Sequence, residues 1–219
     1  MQTSNQPAPT LDEEIALLKQ GHSFIAGIDE VGRGCLAGPV MAAAVVLPLD
    51  NDELASRLAG VRDSKQMTAQ ARDRLYDVIM RHALATGVGT GSIELIDERN
   101  ILQATKHAMY AAIAQLSIPV HALLIDALIL PRLSLPQRSI IKGDACCLSI
   151  AAASIVAKVT RDRLMLQFHE QYPLYGFDQN KGYGTPAHLA ALREHGVTPL
   201  HRKSFAPVRE LIFGVFTAP

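Results

Sequence analysis

Residues Phe24–Pro48, FIAGIDEVGRGCLAGPVMAAAVVLP, decide how the rest of the chain is read. Phe24, Ile25 and Ile28 form an apolar run that leads into two adjacent carboxylates, Asp29 and Glu30. Gly32, Arg33, Gly34 and Gly38 follow, and Val40 to Leu47 is almost wholly apolar. Runs of this kind predict two buried strands joined through GRGCLAGP. A buried unpaired carboxylate is costly, and two side by side repel each other. Counter-charge is therefore required, from Arg33, from a distant lysine or from a divalent metal. The glycines let a backbone or a ligand come close.

The segment Gly27–Gly34 nearly fits the nucleotide loop GxxxxGK[ST], and fails where the chemistry lies. Arg33 stands for the lysine, Gly34 for the Ser/Thr, and two acids occupy the cradle where a phosphate would sit. ATP binding is rejected. A glycine-flanked arginine can instead meet a phosphate or a sugar edge with exposed backbone N–H groups, although a plain tight turn fits the spacing equally well.

Outward from this stretch, strands and helices alternate. Thr10 is placed to cap a helix with Glu13 at capping-box spacing and Ile15, Leu17 and Leu18 as its apolar face. Asp50 to Asp63 reads as loop with a short helix. Thr68 is expected to cap a helix to about Ala85, and TGVGTGS, Thr86 to Ser92, a strand pressed against other backbone. Asn100 caps a helix through Leu116. Ala122 to Ile125 reads as a short strand ending at Asp126, Ser139 to Ile141 as another, and Ser149 to about Tyr172 as a long helix. Pro186 to Glu194 and Pro207 to Phe213 suit two further helices, separated by the basic loop HRKSFAPV. The class is α/β with helices on both sheet faces and a helical C-terminal piece. The expected divisions are an N-terminal tail and short helix over 1–21, a catalytic domain over 22–212, and a C-terminal tail over 213–219.

The totals exclude several classes. The chain has 219 residues, 48% of them hydrophobic, enough for one packed domain. No apolar run is long enough for a transmembrane helix, so no membrane partner is expected. Cys35, Cys146 and Cys147 form neither a disulfide framework nor a CxxC zinc pair, which points to a reducing cytoplasmic setting. The histidines are scattered, without HExxH or Cys/His metal spacing. Formal net charge is zero, so any nucleic-acid binding must use local patches.

Asp29, Glu30, Asp126 and Asp144 each lie at or just past the C-terminal end of a predicted apolar strand, the edge where open α/β sheets bind ligands. Four such acids suit two divalent ions with hard oxygen ligands, Mg²⁺ or Mn²⁺, which can act on a phosphodiester. Any one acid alone would read as a turn cap. Ser64 with Lys65, Lys142, Lys158 with Arg161, and His201–Lys203 are polar or basic clusters that singly read as solvated faces. Tyr183, between glycines in KGYGT, could stack on a sugar or base. Ser154 lies in AAASIVAK rather than GxSxG, so packing suits it better than nucleophilic attack.

With these motifs in order, the chain resembles the ribonuclease HII family, the bacterial type 2 ribonucleases H, over about residues 22–212. GIDEVGRGCLAGPVMAAAVVL, DSKQMT, IDERNILQATKHAM, LLIDAL, KGDACCLSIAAASIVAKVTRD, KGYGTPAH and HRKSFAP carry the likeness. The resemblance implies an RNase H-like fold with a mixed five-stranded sheet flanked by helices and a helical C-terminal extension. It implies an endonuclease that cuts the RNA strand of RNA–DNA hybrids and acts at ribonucleotides embedded in duplex DNA, leaving 5′-phosphate and 3′-hydroxyl ends. Its four-acid metal site falls on Asp29, Glu30, Asp126 and Asp144. Gly32, Arg33 and Gly34 are implied to read the ribose 2′-OH, and Tyr183 the neighbouring deoxyribose. Ser64, Lys65, Lys142, Ser154 and Lys158 complete the expected substrate-binding set. The protein is expected to be a monomer without an organic cofactor. Another nuclease of this fold, such as ribonuclease HIII or a junction resolvase, and a non-catalytic hybrid-binding module are the rival readings. Ala127 departs from the family pattern, which often has Gly after the third acid.

Overall fold

The computed structural model describes residues 8–51 and 53–214. Residues 1–7 and 215–219, within the two expected tails, lie outside the described residues. The two apolar runs of the opening stretch are strands β1 (Ile25–Val31) and β2 (Val40–Val46), paired antiparallel from Ala26 opposite Val46 to Val31 opposite Met41. Both are buried along most of their length, as continuous apolar runs require. Helix α1 (Asp12–Leu18) precedes them, and a four-residue helix α2 (Leu54–Arg57) follows. Then come α3 (Ala69–His82), β3 (Ala85–Gly91), α4 (Ile93–Arg99), α5 (Ile101–Ala114), β4 (Ala122–Asp126) and β5 (Gln137–Ile140). A short α6 (Gly143–Cys146) leads into the 24-residue α7 (Leu148–Gln171). The C-terminal part holds α8 (Phe177–Asn180), α9 (Pro186–His195) and α10 (Ala206–Phe213).

The sheet order is β3-β2-β1-β4-β5, with β1, β4 and β5 parallel and β2 antiparallel to both neighbours. This is the expected mixed five-stranded sheet with a helix packed on each face. Small residues set how close those helices come. A Cβ on Gly87, Gly89 or Gly91 of β3 would strike the Ala112, Ala108 or Ala104 carbonyl of α5, so the alternating glycines are the seat of that helix. On the other face, a Cβ on Gly27 would strike the Ser149 backbone where α7 begins. No helix among the described residues is long and apolar enough to cross a membrane.

Local signals behave as expected at two helix starts. Thr68 Oγ1 accepts from Ala71 N–H, and Asn100 Oδ1 accepts from Leu102 and Gln103 N–H. Elsewhere tertiary contacts override them. Thr10 is not a cap: its backbone pairs with Cys146 and Leu148, and the α1 N-cap is Leu11. The buried face of α1 is Glu14 and Leu17, while Ile15 and Leu18 are exposed. Glu14 Oε1 accepts from Ser149 N–H at 2.8 Å and from the Cys147 thiol at 3.2 Å, so a distant carboxylate caps the N-terminus of α7, where the helix dipole favours negative charge. Helix α3 stops at His82 because β3 already begins at Ala85. Helix α4, over part of IDERN, is capped by Ser92 and was not expected from the pattern. Strand β5 spans Gln137–Ile140 rather than Ser139–Ile141, and Ile141 is exposed.

Candidate active site

Strand register gathers the acids. Ile28 of β1 lies beside Ile125 of β4, so Asp29 and Asp126 leave the same end of neighbouring parallel strands. Side chains alternate along a strand, so Asp29 shares the α7 face with Gly27, and Asp126 shares it with Leu124, which packs against Ile150. Glu30 turns to the α5 face beside Ile28. Asp144 arrives differently from expectation. Strand β5 is not an apolar strand but a polar edge strand, and Asp144 sits four residues beyond it in the first turn of α6. The turn forms because Lys142 adopts a left-handed φ of 57° and Gly143 N–H donates to Asp126 Oδ1 at 2.8 Å. One acid thus anchors the turn that presents another.

The acids are under-neutralised. Burial, then the neighbouring Glu30 and Asp126 carboxylates, hold the Asp29 carboxyl well above its usual range. Burial also raises Glu30, against the pull of Arg33, and raises Asp144, against the pull of Lys65. Arg33 Nη1 lies 3.1 Å from Glu30 Oε1, so the arginine does supply counter-charge, and Lys65 Nζ lies 3.2 Å from Asp144 Oδ2. Burial opposes the Lys65 ammonium, but Asp144 and Asp63 outweigh it and raise it. Both cations are on exposed side chains, 43% and 72% accessible, so they can swing away. Neither Asp29 nor Asp126 has a cation within ion-pair distance among the described residues. Glu30 Oε2 is buried without a partner.

Among the described residues no three His, Cys, Asp or Glu side chains already stand as a closed metal cage. The set nevertheless fits a hard divalent cation. It offers carboxylate oxygens only, one of them orphaned, in a place where mutual repulsion is unrelieved.

A cleft of about 210 Å³ brings Asp29, Glu30 and Asp126 together with Gly32, Arg33 and Gly34. Its other walls carry Ser64, Lys65, Ser154, Lys158 and Tyr183. Ser64 and Ser154, 90 positions apart, share a hydroxyl hydrogen bond of 2.7 Å. Lys158 is held by Asp162 at 2.7 Å, with Nζ 5.9 Å from the centre of the Tyr183 ring. Lys142 is exposed and does not line the cleft, because its backbone is spent on starting α6. A larger concavity of about 480 Å³, bordered by Arg99, Lys106 and Arg132, contains no carboxylate, so size does not select the site.

The loop beside the acids is built quite differently. Arg161 and Arg202, grouped by sequence with solvated basic clusters, are fully buried. Arg202 donates to the Gly38, Arg33 and Gly32 carbonyls at 2.9, 2.8 and 2.6 Å. Arg161 donates to the Pro39, Lys181 and Ala37 carbonyls at 2.9, 2.8 and 3.0 Å. Burial lowers Arg202 to about 10, so it stays charged at neutral pH. The Tyr183 carbonyl accepts from His188, which meets the equally buried His201 at 3.1 Å. His201 Nδ1 accepts from Thr198 N–H, which puts its proton on Nε2 and fixes both tautomers in one chain ending at Tyr183. Burial keeps both imidazoles below the usual histidine range. Sequence reading missed all four residues as a group. The available signal was the α7 stripe Ser154, Ala157, Arg161 and Met165, which places Arg161 on the buried face.

The family model described as Ribonuclease HII matches residues 26–208. A ribonuclease HII of Bacillus cereus (strain Q1) is 55% identical over 199 residues, covering 91% of this chain and 75% of that protein. The crystal structure of the ribonuclease H2 from Pyrococcus horikoshii OT3 matches with a TM-score of 0.71 at 26% identity, over 86% of this chain and 96% of that one. The structure of the PCNA:RNase HII complex from Archaeoglobus fulgidus contains a chain that matches with a TM-score of 0.70 at 28% identity, over 84% and 95% of the two chains.

Proposed function

The chain belongs to the ribonuclease HII family and is a ribonuclease H endonuclease, and from that premise we propose which duplexes it cuts and with which residues. It hydrolyses the RNA strand of RNA–DNA hybrids and cuts at ribonucleotides embedded in duplex DNA. The observation that carries this reading is the single cleft shared by Asp29, Glu30 and Asp126 with Gly32, Arg33, Gly34 and Tyr183. Acids that repel one another and backbone that can meet a sugar stand on one wall, as phosphodiester chemistry beside a ribose requires.

Asp29, Glu30, Asp126 and Asp144 hold divalent metal, Mg²⁺ or Mn²⁺, two ions per site. Such ions, when bound, supply the charge that activates a water and stabilises the leaving oxygen. A water oxygen bonds to phosphorus as the P–O3′ bond breaks; the water gives up a proton and the departing 3′ oxygen takes one. The products are a 5′-phosphate and a 3′-hydroxyl. Around that centre the chain's own residues orient the substrate. The Arg33 and Gly34 amides face the ribose, whose 2′-OH distinguishes RNA from DNA. Lys65 and Lys158 meet backbone phosphate, and the Tyr183 ring packs on the adjoining deoxyribose. Arg33 pairs with one oxygen of Glu30 and Lys65 with one of Asp144; with divalent ions held by the acids, both exposed cations would be free to turn towards the incoming phosphate.

Duplex DNA carrying one ribonucleotide, incubated with and without Mg²⁺ or Mn²⁺, tests the reading. Cleavage is expected only with metal and only at the ribonucleotide. Asp126→Asn should lower kcat/KM on the order of 10³-fold while the circular dichroism spectrum is unchanged. Metal-independent cleavage, or full activity of that variant, would remove the acids from the reaction.

A further inference from the structure

Eight residues, Gly32 to Pro39, connect β1 to β2, and two side chains from far along the chain organise them. Five of the six guanidinium hydrogen bonds made by Arg161 and Arg202 end on carbonyls of this segment: Gly32, Arg33, Ala37, Gly38 and Pro39. The sixth ends on Lys181, two residues before Tyr183. Neither guanidinium has a carboxylate within ion-pair distance among the described residues. Apart from the Phe205 ring, whose centre lies 5.0 Å from the Arg202 guanidinium carbon, only carbonyl oxygens answer these cations; burying a cation this way costs more desolvation than an apolar side chain would, so packing alone gives no reason for it. What it provides is a direction. With its carbonyls turned inward, the loop leaves the Arg33 and Gly34 amides without an acceptor among the described residues, on the wall of the cleft.

The same device fixes the conformation. Gly32 has φ +86°, and a Cβ there would strike the Arg161 guanidinium. Gly38 has φ +82° with Met165 Sδ and Arg161 behind it. Gly34 has open space and an ordinary φ, so nothing inside the protein requires a glycine at that position. The loop is moulded on its inner side and open on its outer side.

We propose that Arg161 and Arg202 are positioning residues. They set the substrate-facing amides of Gly32–Gly34 by holding the loop's carbonyls from behind, and they touch no substrate. This rests on the cleavage reading above. The planar fork is the essential feature, since three carbonyls at fixed angles match a guanidinium and not the point charge of an ammonium.

Arg202→Lys and Arg161→Lys keep the charge and remove the fork. Each variant, measured per folded molecule, is expected to raise KM for a duplex with a single ribonucleotide about 10- to 100-fold, the scale of an ångström-sized misplacement. Preference for that duplex over a continuous RNA–DNA hybrid should fall with it, while Mn²⁺ affinity stays at the wild-type value. Combining Arg202→Lys with Gly34→Ala should add little, because both act through one loop. Unchanged KM and unchanged preference, with only a lower melting temperature, would overturn the proposal. Hydrogen exchange on the wild-type protein reads the same claim without any variant. The Leu36, Ala37 and Gly38 amides should exchange only by global unfolding, and faster local exchange would overturn it even if no lysine variant folds. A wild-type protein that cuts neither duplex would defeat the cleavage reading and leave the exchange result standing as the test of the loop.

Discussion

The end of β1 and the loop that follows it are adjacent in the chain and obey opposite rules. At Asp29 and Glu30 charge is unpaid: burial raises both carboxyls, a Glu30 oxygen has no partner, and the nearest cations sit on exposed, movable side chains. From Gly32 to Pro39 six of the eight carbonyls accept a hydrogen bond among the described residues, five of them from guanidiniums that cannot move because they are wholly buried. The lesson is a division of labour. The part that does chemistry is kept in need of a ligand, and the part that recognises shape is kept rigid. Real proteins break local rules at working sites, and the supporting shell offsets the cost.

The sharpest way to break this comparison is at Asp29. Its raised folded-state value means the native protein holds its proton more tightly than the unfolded chain does. Stability is therefore lost as pH rises through that window, and at neutral pH in metal-free buffer the ionised group is a liability. Asp29→Asn, which can still accept from Glu30 N–H, should lower kcat/KM on the order of 10³-fold while raising Tm by about 2–4 °C. The Tm gain should vanish below the ordinary aspartate range. A variant that loses both activity and stability would show that the acids are structural.

A smaller effect separates the two glycines of the loop. Gly32→Ala meets both a positive φ and the Arg161 guanidinium, and should cost about 3 kcal/mol or more in denaturant unfolding. Gly34→Ala meets nothing within the protein and should change stability by less than about 1 kcal/mol, yet weaken ribonucleotide-containing duplex about tenfold. Equal stability losses at the two positions would erase the distinction between the moulded and the open side.

The smallest effect lies beside Asp126. Ala127 adopts φ +49° at the point where β4 hands over to the next loop, a conformation that costs an L side chain and suits glycine. A glycine at this position would relieve that strain. Ala127→Gly should stabilise the protein by about 1 kcal/mol with cleavage unchanged, checked by urea unfolding and the duplex assay together.

Much of the fold was legible because its signals are local. Apolar runs marked β1, β2 and β4, side-chain caps marked α3 and α5, and the Gly-x-Gly-x-Gly of β3 declared a strand pressed against other backbone, which is that of α5. Asp29, Glu30 and Asp126 stood out because an apolar strand ending in acid has no use for it. Asp144 was found for a partly wrong reason, since α6 rather than a strand end delivers it. Arg161 and Arg202 were misread because a basic residue near other polar residues looks solvated, and only their carbonyl partners, more than 100 positions away for the opening loop, make burial tolerable. Glu14 drew no reading from the sequence at all, because its partners are at the start of α7.

The α/β alternation, the acids of β1 and β4, the glycine loop and the order of motifs were readable along the chain. Each depends on residues within a few positions, where steric preference and periodicity act directly. The tertiary structure alone decided which acids face one another, which cation answers which carboxylate, and that two arginines and two histidines hold the recognition loops from within. These depend on desolvation and hydrogen-bond partners brought together across the whole chain, and no neighbouring residue carries that information.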